Sequence, residues 1–204
     1  RCTETVFNAY DDSTFSTAVP WEARDSDLVF LGRLVSQKGC DVLLRAIGRL
    51  RSEGLMPSLT IIGDGPERKM LETLALELCL DARVRFTGTM QGRSLAAKLA
   101  RHRFLVVPSR YEEPFGIVAL EGLACGCVPV VSERGGLVDA TGGLGFTVPN
   151  GDDAALAATL KAVLLDATAA RARLSGVQTH LDSCRARAVA KRYIGIFEPL
   201  LGRA

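Results

Sequence analysis

Residues 107–132 read VPSRYEEPFGIVALEGLACGCVPVVS. An apolar run ends at Pro108, and Pro114 and Gly116 break the polar loop that follows. A helical stretch then runs over 117–126, and a second apolar run opens at Val128. Proline and the residue before it resist the helical conformation, so Glu113 is predicted to stay in the entry loop. Strand, loop, helix and strand in that order form the unit of a parallel sheet, whose strands need crossover helices between them. From Ile117 to Cys125 every side chain is apolar or absent except that of Glu121. At about 100° per residue, Glu121 falls beside Ile117, Ala124 and Cys125 and not on a polar stripe. A carboxylate in such a place needs a partner, because losing water is costly. A backbone cap, an arginine or the hydroxyls of a ligand could each supply one.

The same alternation fills the rest of the chain. LVFLG (28–32), LTIIG (59–63), VRFTG (84–88), FLVVP (104–108), VPVVS (128–132) and GFTVP (145–149) read as strands. Most are continuously apolar, as expected where helices cover both faces of a sheet. Helical patterns are predicted at about 39–53, 66–80, 91–101, 117–126, 152–166, 168–183 and 185–201. The fold class is α/β, an open doubly wound, Rossmann-like parallel sheet, since a barrel would need eight such units. No repeat or low-complexity segment interrupts it.

Bulk properties exclude several functions. The 204 residues carry a formal net charge of +2 and a pI near 8.3, which implies no strong field for nucleic acid or anionic membranes. Arg185, Arg187, Lys191 and Arg192 concentrate some charge near the C-terminus and read as a solvated helix face. Six cysteines (2, 40, 79, 125, 127, 184) are irregularly spaced in mostly apolar segments, which fits reduced core thiols of a cytoplasmic protein. No zinc set is complete, so no metal is expected. No stretch is apolar enough to span a bilayer, and peripheral contact with the inner face of a membrane stays open. The chain starts at Arg1 and not at Met, which reads as a processed chain or a fragment.

Gly32, Gly63 and Gly88 each close a strand and open a turn. Ligands of open α/β sheets bind beyond the carboxyl ends of the strands, so those loops are where chemistry should lie. GRLVSQKG (32–39) puts Arg33 and Lys38 at a helix entrance, where a planar fork and a point charge suit a diphosphate. Two solvated cations would look the same. GDGPER (63–68) allows close backbone approach, with Pro66 suited to the first turn of the next helix. Arg68 stands where a dinucleotide fingerprint needs its third glycine, which disfavours a dehydrogenase. Thr89 and Met90 sit at the rim after the third strand, where backbone groups could read a base edge. Phe115, Gly116 and Ile117 begin the helix that carries Glu121, and their free N–H groups suit an anion or a hydroxyl. Glu113 and Glu121 together fit either a pair of hydrolytic carboxylates or two acceptors of sugar hydroxyls. Gly135-Gly136 and GGLGFTVPNGDD (142–153) add glycine-rich loops. His102 and His180 lie in helical patterns and read as structural or surface residues.

Taken in order, GRL…KG, GDGP, V-x-F-x-G and E-x7-E resemble the donor-binding half of a retaining GT-B glycosyltransferase of the family 4 type (glycosyl transferases group 1). The resemblance covers nearly the whole chain. It implies that Glu121 accepts hydrogen bonds from the ribose hydroxyls of a nucleotide. It also implies that Glu113, with the backbone of Phe115, Gly116 and Ile117, holds hydroxyls of the transferred sugar. Arg33 and Lys38 would neutralise the diphosphate, Thr89 and Met90 would border the base, and Gly32 and Gly63 would shape the cleft. The reaction implied is metal-independent hexosyl transfer from a UDP-, GDP- or ADP-linked sugar to a glycan or lipid-linked acceptor, with no cofactor. Gly122 stands where Ala is usual after the second Glu, and Leu137 where Pro is common. On the same resemblance, 1–20 is an interdomain segment, 21–184 the nucleotide-sugar domain, and 185–204 a helix that packs back on an N-terminal acceptor domain. That domain is missing from these residues, so the chain alone is expected to bind nucleotide but to transfer sugar poorly or not at all. A non-catalytic nucleotide- or sugar-binding partner subunit of the same fold is the alternative.

Overall fold

The computed structural model describes residues 4–16 and 19–201, with the side chains of 199–201 outside the description. Cys2 and the side chains of Leu200 and Leu201 therefore lie outside the described residues.

Six parallel strands form one sheet: β1 (Ser26–Leu31), β2 (Leu59–Ile62), β3 (Val84–Gly88), β4 (His102–Val107), β5 (Val128–Ser132) and β6 (Phe146–Val148). Their spatial order is β3-β2-β1-β4-β5-β6, so the direction of winding reverses between β1 and β4. Register pairs Val29 with Thr60 on one side and with Leu105 on the other. Successive residues of a strand face opposite sides. Leu28, Phe30, Phe104, Val106 and Val130 pack into one apolar layer, and Val29, Leu105, Val107 and Val131 into the other.

Helices cover both layers. Helices α1 (Cys40–Ser52), α2 (Arg68–Glu77) and α6 (Asp153–Leu165) lie on the first. Helices α3 (Gly92–Leu99), α4 (Ile117–Ala124), α5 (Leu137–Thr141) and α8 (Val177–Ser183) lie on the second. Helix α7 (Ala167–Ala172) follows α6, and α9 (Ala186–Leu201) closes the described chain. Asp152 caps α6, accepting hydrogen bonds from the N–H groups of Ala154 and Ala155. The first segment returns to the end of the chain: Tyr10 N donates to Cys184 O at 3.3 Å, and Arg192 pairs with Glu4 at 2.9 Å.

Several expectations need correction. The predicted helix at 168–183 is two helices, because Gly176 adopts φ +81° between them. Pro66 precedes α2 by two residues, in a turn, and Glu67 is the N-cap. His102 is not helical. It opens β4, paired with Ser26, and is fully buried. Its Nε2 lies 2.9 Å from Thr60 Oγ1 and its Nδ1 2.8 Å from Lys98 O, so Nδ1 carries the proton and Nε2 accepts from the threonine. Burial pulls its pKa down to about 4, which makes it a neutral core residue.

Cys40, Cys125, Cys127 and Cys184 are buried free thiols, while Cys79 is exposed. Cys79 is also the one non-glycine with positive φ (+53°) among the described residues. It ends α2 in a left-handed turn in which Leu80 N donates to Ala75 O and Cys79 N to Leu76 O, both at 2.8 Å. Glycine is the usual residue there because it lacks the Cβ clash. Cys79→Gly should stabilise the protein by about 1 kcal/mol, seen as a thermal midpoint about 2–4 °C higher. An unchanged or lower midpoint would mean that the thiol packs favourably despite its exposure.

Candidate functional site

The winding reverses between β1 and β4, the place beside which open α/β sheets bind their ligands, and the loops leaving the carboxyl ends of these two strands meet there. Lys38 lies in a short 3₁₀ turn (Ser36–Lys38) after β1, and Glu113 lies in the loop after β4. Lys38 Nζ donates to Glu113 Oε1 at 2.7 Å. Ser109 Oγ donates to the same oxygen at 2.7 Å, and the Tyr111 hydroxyl donates to Oε2 at 2.7 Å. Lys38 Nζ also lies 3.3 Å from the Tyr111 oxygen and 5.2 Å from the centre of its ring.

The charge state follows from these contacts. The Glu113 side chain is 7% exposed, and burial alone would push its carboxyl up. Hydrogen bonds from Lys38, Tyr111 and Ser109 outweigh burial and hold it below the ordinary carboxylate range. Burial likewise pulls Lys38 down, and Glu113 more than restores it. Both partners therefore remain charged at neutral pH.

The two loops are braced from behind. Arg110 donates from both terminal nitrogens to Asp41, each at 2.5 Å, and from one of them to Ser36 O at 3.1 Å. Its backbone N–H donates to Gln37 O at 2.9 Å. This bidentate clamp fixes the turn that carries Lys38. On the other side, Gly135 pairs with Glu113 in a β-bridge, and Gly136 N donates to Glu113 O at 2.6 Å. Gly135 has φ +86°, and a Cβ there would lie 2.6 Å from Glu113 N, so a side chain would displace the carboxylate.

Gly32, Gly63 and Gly88 line up across the ends of β1, β2 and β3. Gly32 N donates to Ile62 O at 3.0 Å, and Gly63 N to Gly88 O at 2.9 Å. A Cβ on Gly63 would collide with the carbonyl oxygen of Gly32, so the two turns touch through bare backbone. Thr89, exposed, and Met90, half-buried, follow at this edge. Arg33 is exposed, and its guanidinium makes no hydrogen bond or ion pair among the described residues.

Gly116, at φ +98°, turns the chain into α4, whose amino end no side chain caps. The Phe115 ring is buried and stacks on Phe7 at 5.2 Å, while Ile117 is 40% exposed. Glu121, one turn into α4, is half-buried and makes no hydrogen bond or ion pair with its carboxyl among the described residues. Neither an arginine nor a backbone cap satisfies it. Burial, with a smaller push from the charge of Asp11, raises its pKa to about 7. Thus Lys38 and Glu113 are in contact, whereas Arg33 and Glu121 stand unpaired. Ser109, Tyr111 and Arg110 join the cluster although sequence reasoning had singled out none of them.

A cavity of about 830 Å³ opens at the amino ends of the strands, lined by residues such as Trp21, Arg24, Leu123 and Gln178. None of the motif residues lines it. No group of three or more His, Cys, Asp or Glu side chains among the described residues could hold a metal ion. No helix among them is long and apolar enough to cross a membrane.

Comparison with known proteins places this arrangement. A family model described as glycosyl transferases group 1 matches residues 12–176. The chain belongs to that family. A curated relative, the glycogen synthase of Mycobacterium tuberculosis, is 37% identical over 160 residues, covering 78% of this chain and 38% of the relative. Among solved structures, the sucrose-phosphate synthase of Thermosynechococcus elongatus superposes with a TM-score of 0.83 at 27% identity, covering 98% of this chain and 53% of that one. Anabaena HepE, in a complex with UDP and glucose, superposes with a TM-score of 0.82 at 20% identity, covering 96% of this chain and 57% of that one. This group 1 glycosyltransferase chain therefore has the Rossmann-like architecture of one half of a GT-B fold. It spans between about two fifths and three fifths of the length of these three proteins.

Proposed function

We propose that this chain is the donor half of a retaining, metal-independent hexosyltransferase, and that it binds a nucleotide-diphospho-sugar beyond the carboxyl ends of β1 and β4. The observation that carries the reading is the charged Lys38–Glu113 pair at the reversal of winding, with unpaired Arg33 in the same β1–α1 connection. The complex of HepE with UDP and glucose supports a donor of this class.

In such a transfer the bond between the anomeric carbon and the diphosphate oxygen breaks, and its electron pair leaves with the diphosphate. Negative charge grows there while positive charge grows on the sugar. Lys38 is already ionised and held by Glu113, so it meets that growing charge without reorganising. Arg33 and the uncapped amino end of α4 add to the same field. Glu121, half-buried and unpaired, is suited to accept the ribose hydroxyls. Thr89 and Met90 would border a uracil, guanine or adenine. The acceptor, a glycan or a lipid-linked sugar, would be held by an N-terminal domain outside these residues. Residues 1–20 and 185–204 would make the passage to it. Exposed Tyr193, Ile194 and Phe197 on α9 are consistent with a face that such a domain covers.

Calorimetric titration with UDP, GDP and ADP in the presence of EDTA tests this reading. Binding of one of the three, lost in Glu121→Ala, is the expected result. No binding by any of them would overturn it, and binding that appears only with added magnesium would overturn metal independence.

A further inference from the structure

Glu113 carries the most specific motif of the sequence, yet its carboxylate is almost withdrawn from solvent. Oε1 already accepts from Lys38 and Ser109, and Oε2 from Tyr111. Only Oε2 keeps acceptor capacity for a ligand, so a further contact to the sugar has to come from a neighbour. Tyr111, by contrast, is half-buried. Its single proton is given to Glu113, and a hydroxyl that donates to a carboxylate becomes a stronger acceptor through its own oxygen.

We propose that Tyr111 recognises the donor sugar, accepting a hydrogen bond from one of its hydroxyls and passing the charge of Glu113 out to it. The assignment rests on the donor-binding reading above. Its geometry comes from Lys38. Lys38 Nζ donates to the Tyr111 oxygen at 3.3 Å, which leaves that oxygen its second lone pair for a sugar hydroxyl, and an ammonium that meets the diphosphate brings the attached sugar within reach of the phenol. The phenol is fixed on two sides. Lys38 lies over its ring and Glu113 holds its proton, while Asn150 Nδ2 donates to the backbone carbonyl of Tyr111 at 3.4 Å and anchors the main chain there. The hydrogen bond to Glu113, with some burial, raises the phenol's pKa, so it keeps that proton at neutral pH and its orientation with it. The ligand class that follows is a hexosyl donor with a free hydroxyl at the position facing Tyr111, and a deoxy sugar there is disfavoured.

The test compares each nucleoside diphosphate with its sugar conjugate: UDP with UDP-glucose, ADP with ADP-glucose and GDP with GDP-mannose. All six are titrated into the wild-type chain and into Tyr111→Phe, which keeps the ring over Lys38. For the pair that binds, the diphosphate Kd should stay within about twofold while the sugar conjugate weakens by about tenfold, the loss of one charge-assisted hydrogen bond. A deoxy-sugar analogue should then lose about tenfold on the wild type and nothing further on Tyr111→Phe. Equal weakening of both members of the pair would overturn the assignment and leave Tyr111 only a support for Lys38. An unchanged sugar conjugate would overturn it too, as would a deoxy series in which every analogue still loses affinity on Tyr111→Phe. If the wild type takes none of the six, the donor-binding reading itself fails, and this assignment with it.

Discussion

Lys38→Ala should lose donor affinity and stability together, and the two losses should come apart in a double variant. An ammonium that donates to a diphosphate contributes about 2–3 kcal/mol, so the donor Kd should rise about 30- to 150-fold. Stability falls for a different reason. Removing one partner of a buried ion pair leaves the other charge uncompensated, at about 3–5 kcal/mol when fully enclosed. Lys38 is 26% exposed, and Ser109 and Tyr111 still hold Glu113, so about 1–3 kcal/mol is expected here. The pH dependence has a definite sign. In the wild type the Glu113 carboxyl is held below its ordinary value, so its stabilisation is full above that value and is lost as pH falls through the depressed one. Without Lys38, burial regains influence and the carboxyl moves up, which penalises the variant at neutral pH and less in acid. Denaturant midpoints should therefore differ most between wild type and Lys38→Ala at pH 8, and less at pH 5. Adding Glu113→Gln removes the stranded charge and should recover most of the stability but none of the affinity. A double variant that binds donor normally would end the proposed role of Lys38.

Glu121→Gln should move binding and stability in opposite directions. Burial and Asp11 raise the Glu121 pKa to about 7, well above its ordinary value. The native state thus holds this proton more tightly than the unfolded chain, and stability is lost as pH rises from about 4.5 through 7. At pH 8 the neutral amide escapes that cost, so the variant should be more stable than wild type by about 1–3 kcal/mol. Affinity should fall about 30-fold or more, because an amide accepts hydroxyls less well than a carboxylate. The carboxylate is the binding form, so wild-type affinity should rise with pH through about 7 and then level off, and Glu121→Gln should flatten that curve. The ligand to use is a nucleotide sugar, whose diphosphate carries no proton that titrates near neutrality. A wild-type curve already flat between pH 6 and 8 would show that Glu121 does not meet the ligand.

Much of this was legible in the sequence because buried parallel strands write themselves as apolar runs. VRFTG and VPVVS coincide with β3 and β5 residue for residue. The misreadings have local causes. β4 extends back over His102 and Arg103, whose polar character hid the pairing with Ser26 that the sheet imposes. Helix α5 is five residues long between Gly136 and Gly142, too short to show a period and flanked by turn residues. In the site, Lys38 and Glu113 were named from their motifs, but their contact depends on β1 and β4 lying side by side. That adjacency comes from the order of the strands, which no single motif encodes. Ser109 and Tyr111 did leave a trace. They precede Glu113 by four and two residues, so in an extended loop all three side chains fall on one side.

The adjacency of β1 and β4 also sets when the Lys38–Glu113 pair can form. Lys38 and Glu113 are 75 positions apart in the chain, and the two elements that bring them together enclose all of α1, β2, α2, β3 and α3. Closing so long a loop is unfavourable until the intervening units have condensed, so the pair belongs to the late, non-local contacts of folding. A partly assembled chain lacks this pair. A nucleotide sugar bound as proposed would therefore be a ligand of the finished sheet alone, and at about a hundred times its Kd it would add about 2.7 kcal/mol to the stability of that state. Nucleotide-sugar concentration would in this way set how much of the chain stays folded.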